Sequence, residues 1–174
     1  MAVRYRTPQE MPKEELLAYI SDIAKNWLAH DGLWFLEVEK RWGMDAAIET
    51  DRDAWSVFTT IEARRIMERL GIKEGGGLDA LEVALRFRMY AHINRQEIER
   101  PEPGVLIFTM RTCRVQDARK RKKLPDFPCK PVGLVEYGNF AATIDPRIKT
   151  ECIFCPPDEH PPDAWCRWRF TLTE

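Results

Sequence analysis

"WCRWRFTLT" (Trp165–Thr173) decides how the chain is read, because its side chains alternate without a break. Cys166, Trp168, Phe170 and Leu172 fall on one face, and Arg167, Arg169 and Thr171 on the other. That period of two is the mark of a strand with one face on a core and one toward water. Ten residues upstream, "PRIKTECIF" (Pro146–Phe154) supplies a second strand, and "INRQEIER" and "GVLIFTMRT" flank the turn "PEPG" (Pro101–Gly104) as an antiparallel pair. Between them, "CRVQDARKRKKLP" predicts a short basic helix ending before Pro125. "PVGLVEYGNFAATID" predicts another, with Pro131 at its start.

Before residue 93 the period lengthens to that of helices. Leu16, Ile20, Ile23 and Trp27 recur at three and four behind a Pro12 start and an acidic Glu14–Glu15 first turn. "HDGLWFLEVEKRWGM" either restarts a helix after Asp31–Gly32 or continues the first through a kink. "DRDAWSVFTTIEARRIMERLG" has Trp55, Phe58, Ile61 and Ile66 as its stripe and Gly71 as its stop. "GGGLDALEVALRFRMYAH" turns Leu78, Leu81, Leu85 and Met89 inward. The expected fold is a single α+β domain over 1–174, mainly helical over 13–92. Its helices pack on one face of an antiparallel sheet of about four strands over 93–174.

The 174 residues are 44% hydrophobic and 32% charged, with a formal net charge of -1. These are the proportions of a soluble globular chain with no global attraction to nucleic acid or an anionic membrane. "RKRKK" (Arg119–Lys123) stands alone, without aromatic interleaving, and reads as a solvated helix face. No apolar run approaches the roughly 20 residues of a bilayer span. The start shows no apolar leader segment, so a cytoplasmic location is expected.

In a reducing compartment five cysteines are poor disulfide candidates and better metal ligands or core residues. Cys152 and Cys155 have the spacing of a metal knuckle, and Cys166 follows. Cys129, in the proline-flanked "FPCKP", is the best fourth ligand, with Cys113 and His160 in reserve. Four thiolates fill the shell of a structural zinc, and the same set admits an iron–sulfur cluster. A redox dithiol is the weakest reading, since the Cys-x-x-Cys closes a strand and runs into Pro156–Pro157.

The order Cys129, twenty-two residues, Cys152, Cys155, and Cys166 entering "CRWRF" resembles the end of the 4-vinyl reductase type domain. That family includes zinc-carrying ligand-sensing domains of bacterial regulators. Its ligands run Cys, Glu, Cys, Cys, so Cys152 would stand where the family has Glu. "NWLAHDGLWFLEVEKRWGMDAAIETDRDAWSVFTTIEARRIMERLG" and "TIDPRIKTECIFC…WCRWRF" are together similar to a family of prokaryotic cytosolic proteins. Those are related to the L-2-amino-thiazoline-4-carboxylic acid hydrolase family. The resemblance covers roughly residues 13 to 172 and implies an α+β cytosolic protein, with hydrolysis of a cyclic amidine or amide as one possible activity.

A polar cluster among aromatics completes the reading. His30, Trp34 and Glu37 share a helical face, and Glu62 lies in an apolar stripe between Phe58 and Ile66. A carboxylate there must be paired, hydrogen-bonded or protonated; Arg41 and Arg65 are its expected ion-pair partners if the role is structural. Trp34, Glu37, Trp55, Phe58 and Glu62 are the expected lining of a pocket for a small organic ligand, set apart from the cysteines. If the protein is a hydrolase instead, Glu62 is the buried base, with His30 or Asp31 assisting. The surplus of aromatic residues leaves room for a homodimer.

Overall fold

The computed structural model describes residues 3–174; Met1 and Ala2, part of the segment read for a leader, lie outside the described residues. Five helices and four strands follow in the order α1 (Lys13–Trp42), α2 (Met44–Leu70), α3 (Gly77–Arg86), β1 (Gln96–Glu99), β2 (Val105–Met110), α4 (Arg114–Arg121), α5 (Lys130–Ile144), β3 (Ile148–Phe154) and β4 (Cys166–Leu172). The fold is α+β, with the longest helices in the amino-terminal half.

The sheet is antiparallel throughout, in the order β1-β2-β4-β3. The hairpin around "PEPG" forms, with Gln96 opposite Met110, and β4 inserts between β2 and β3 so that Leu106 faces Phe170 and Phe108 faces Trp168. Trp168 and Phe170 are fully buried, as their alternation requires. On the opposite face Arg167 and Arg169 pair with Glu99 and Glu102, each at 2.8 Å. Their stems border the buried Ile107 and Thr109 of β2.

Helix α1 runs without interruption through Asp31–Gly32, so the second expected helix is the continuation of the first. Its covered face also differs from the expected one. Ala24 and Leu28 are buried, while Leu16 and Ile23 are exposed. The spacing of large apolar residues identifies a helix but not which side its neighbours cover. In α2 the inner positions are Ala47, Trp55, Thr59, Glu62 and Ala63; Ile61 faces out. The small Ala63 and Thr59 bring α5 close, and the Thr59 hydroxyl donates to the Glu136 carbonyl at 2.9 Å. Gly71 ends α2 at φ 68°, a left-handed conformation that glycine enters without a Cβ penalty.

Leu78, Leu81 and Leu85 point inward from α3, and Met89 lies beyond it in a 3-10 turn, Met89–His92. The main core joins α3, α5 and the sheet: Leu81, Leu85, Phe108, Phe140, Ile144, Trp168 and Phe170. Gly133 is placed by close approach. A Cβ there would come within 2.7 Å of the Trp168 ring and 3.8 Å of the Cys155 sulfur. Basic helix α4 is less solvated than its composition suggests: Arg119 is buried and holds Glu39 of α1 through two bonds of 2.7 and 3.0 Å.

Candidate functional site: a carboxylate and cysteine cavity

A cavity of about 380 Å³ opens between α1, α2, α4 and α5, with the ends of β3 and β4 as its floor. Three carboxylates line it: Asp31 of α1, Asp51 of α2 and Glu136 of α5. Trp55, Tyr90 and Tyr137 form aromatic wall, and Cys113, Cys129, Cys155 and Cys166 line it near Trp168. Lys25, Arg114, Arg121 and Lys122 also contribute, and of these Lys25, Arg121 and Lys122 are exposed.

The aromatic wall is itself well packed. Trp55 stacks on Tyr90 with centroids 5.8 Å apart, and Trp27 meets Trp55 edge-on at 5.9 Å. Behind this wall sits Arg88, 2% exposed. Its Nε donates to Glu62 Oε2 at 2.8 Å, and its Nη2 lies 2.8 Å from Glu136 Oε1. The second contact lies off the line of a hydrogen bond, so it is mainly Coulombic. The guanidinium also lies over the ring of Phe140 at 4.7 Å and that of Tyr137 at 5.4 Å. Burial acts against its charge, but Glu62 and Glu136 outweigh that and hold its pKa above the ordinary value.

Two cavity carboxylates lack such a partner. Asp31 and Asp51 form no ion pair with lysine or arginine among the described residues, and burial raises the pKa of both. For Asp51 the value reaches about 7, with the negative charges of Asp31 and Glu136 adding to burial and a hydrogen bond with Trp55 opposing it. Burial also raises Glu136, against the pull of Arg88.

This fixes a pH dependence. An acid whose folded pKa lies above its unfolded value of 3.8 leaves the fold unpenalised below about pH 4. It costs stability progressively as pH rises toward 7. At about 1.4 kcal/mol per pH unit, screened at this half-buried position, the cost is about 1–3 kcal/mol. Asp51→Asn is therefore expected to raise the melting temperature by about 3–8 °C at pH 8 and hardly at all at pH 4, as calorimetry at the two pH values can check.

Cys155 has the closest thiol neighbour. Cys129, at the start of α5, has its sulfur 3.6 Å from that of Cys155, and Cys152 and Cys166 lie near enough to act on its ionisation. Those three neighbours push the Cys155 pKa far above its ordinary range, while the Cys155 thiol and Lys130 lower that of Cys152. The Lys130 ammonium bonds Asp158 at 2.8 and 3.0 Å, and Asp158 accepts from the Cys155 N–H at 3.3 Å, which ties the loop to α5. Among the described residues no group of three or more His, Cys, Asp or Glu side chains is arranged to hold a metal ion. Cys113 is half-buried near Cys129 and Cys166, its pKa raised chiefly by desolvation. His160 lies apart, its ring 5.0 Å from that of Trp165.

The expected pocket is thus partly redrawn. Trp34 is 65% exposed, and Glu37 and His30 are exposed, because that side of α1 faces away from α2. Phe58 is half-buried against Trp27 and Trp55 and does not line the cavity. Glu62 is buried, as its place in the stripe implies, but its partner is Arg88 rather than Arg41 or Arg65, and it too lies off the cavity. Trp55 and Asp31 do line it. Of the four expected metal ligands Cys129, Cys155 and Cys166 line it as well, contrary to the expected separation, because α5 carries Cys129 at its start and Glu136 two turns later; Cys152 does not.

Asp51 and Glu136 were missed although the sequence marks them. Asp51 falls midway between Ala47 and Trp55, and Glu136 between Val132 and Phe140, each four residues from a buried neighbour on either side. The reasoning that singled out Glu62 applies equally to both.

The fold and cavity define a helix-on-sheet domain with an acidic, aromatic and thiol-lined internal site. The chain belongs to a family of unknown function, DUF6125, whose profile matches residues 9–172. No curated protein and no solved structure matches the chain.

Proposed function

We propose that the protein is a small-molecule-binding domain, sensor-like in character, whose ligand occupies the 380 Å³ cavity above a structural zinc held by Cys129, Cys152, Cys155 and Cys166. The observation that carries the ligand reading is the pair of unpaired carboxylates, Asp31 and Asp51, kept in an aromatic-walled cavity at a cost in stability. The zinc reading is supported by the donor set. Zn–S bonds of about 2.3 Å in a tetrahedron place sulfurs about 3.8 Å apart, close to the 3.6 Å between Cys129 and Cys155. The remaining sulfurs would have to close around a common centre. An iron–sulfur cluster on the same thiols is the alternative, distinguished by iron and visible colour. No helix among the described residues is long and apolar enough to cross a membrane, and reduced thiols suit a cytoplasmic location.

The test uses a library of small organic fragments, followed by tryptophan fluorescence and thermal shift. Fragments that bind are expected to perturb Trp55 and to lose affinity at least tenfold in Ala29→Trp, which places a large ring on the cavity lining. Hits that survive this variant unchanged would place binding elsewhere.

A hydrolase remains the second reading, favoured by one observation. A carboxyl with pKa about 7 inside a cavity is suited to proton transfer at neutral pH, and that group is Asp51. The general base therefore passes from Glu62, which Arg88 occupies, to Asp51. Turnover of 2-aminothiazoline-4-carboxylate that vanishes in Asp51→Asn would favour it; no turnover by pure protein would remove it. The exposed Leu33, Trp34 and Trp42 of α1 are the surface on which a homodimer would form, as sedimentation of Trp34→Glu against the parent chain can decide.

A further inference from the structure

We infer that the inner end of the cavity takes a primary ammonium group carried on an apolar body, a deepening that rests on the ligand-binding reading above. Asp31, Asp51 and Glu136 reach this end from three different helices. Arg88, the buried cation behind this wall, already serves both Glu62 and Glu136, and Arg119, buried on the cavity lining, is committed to Glu39. Two carboxylates against one guanidinium leave one negative charge over, and Asp31 and Asp51 add to it with no lysine or arginine paired to either among the described residues.

A second, independent feature points to a bound polar group. Tyr137 is 4% exposed and lines the cavity, yet its hydroxyl makes no hydrogen bond among the described residues. Glu136 is 8% exposed, and its buried Oε1 makes no aligned hydrogen bond among them. A hydroxyl of an otherwise buried tyrosine facing the cavity, and a buried carboxylate oxygen beside it, both without an aligned hydrogen bond from the protein, favour a group that supplies donors. A compact ammonium has three donors and one positive charge, so it satisfies the carboxylates and the hydroxyl together. An anionic group would meet three carboxylates there, with Arg88 and Arg119 already paired, and a neutral hydroxyl would leave the surplus negative charge uncompensated. Trp55 and Tyr137 supply the apolar contact for the body. The exposed Lys25, Arg121 and Lys122 set the opposite sign at the outer lining, which orients the ligand with its cation inward.

Isothermal titration of the full chain at pH 7.5 with benzylamine, benzyl alcohol and benzoate tests this, since the three differ mainly in charge. Benzylamine is expected to bind at least tenfold more tightly than benzyl alcohol, with benzoate weakest. In Asp51→Asn and in Asp31→Asn, each checked for folding by near-ultraviolet circular dichroism, the preference is expected to shrink to about twofold or less. Benzyl alcohol or benzoate binding as tightly as benzylamine overturns the inference while leaving the cavity a binding site. So does an amine preference that persists in both variants. Absence of binding by all three overturns it as well, and fragment hits lost in Ala29→Trp would then show that the broader ligand reading still stands.

Discussion

Arg88→Met is expected to lower the unfolding free energy by about 3–5 kcal/mol, equivalent to a fall in melting temperature of about 6–20 °C for a chain of this size. Methionine is close in length to the arginine stem, so the loss reports charge more than volume. Glu62 and Glu136 would remain buried with no cation, and the aromatic rings of Trp55, Tyr90, Tyr137 and Phe140 would lose the guanidinium that lies over them. Both stranded carboxyls would favour protonation, so the deficit should be larger at pH 8 than at pH 5. Combining Arg88→Met with Glu62→Gln and Glu136→Gln should recover much of the loss, because the uncompensated charges are gone. A single-variant loss below about 1 kcal/mol would mean that water reaches the triad and that it is not the buried electrostatic centre of the helical half.

Cys155→Ser is expected to have the largest effect of any cysteine substitution. Its sulfur lies 3.6 Å from that of Cys129, the other proposed ligands act on its ionisation, and its loop is tied to α5 through Lys130 and Asp158. The parent chain should carry one zinc and the variant none. Structural zinc sites contribute on the order of 10 kcal/mol in small peptides, so even a partial share here should reduce the melting temperature by about 10 °C or more. Cys113→Ser is the control: it alters a half-buried thiol near Cys129 and Cys166 and should retain the metal. Metal content by inductively coupled plasma mass spectrometry decides between them. Equal zinc in both variants would remove Cys155 from the ligand set, and loss in Cys113→Ser alone would transfer its role there.

Much of the fold was legible because the sheet advertises itself. The alternation of β4, the "PEPG" turn and the proline-started α5 each have a local physical cause, and each element lies where its pattern places it. The cavity was less legible because its walls are contributed by residues far apart in the chain. Glu62 could be recognised as a buried carboxylate from its apolar flanks, but its partner Arg88 follows α3, outside any helical repeat that would connect the two. The errors on α1 have one source. Large apolar residues at helical spacing suggested a core-facing stripe, whereas α2 covers the side bearing Ala24 and Leu28 and leaves Ile23 and Trp34 outside. The cysteine set was chosen from spacing and from the proline-flanked setting of Cys129. The approach of Cys129 to Cys155 depends on α5 beginning beside the end of β3, which neither reveals.

Native mass spectrometry of the full chain, purified without added metal or ligand, tests most directly whether the cavity and its thiol floor form a metal-supported binding site. The expected spectrum is that of the chain with one zinc ion, plus a non-covalent small-molecule adduct, either present on purification or formed on adding a fragment hit. The adduct should be stripped by gentle activation before the metal leaves, and Ala29→Trp should keep the zinc without the adduct. A well-folded chain free of metal, with no adduct even at saturating fragment, would contradict the proposal.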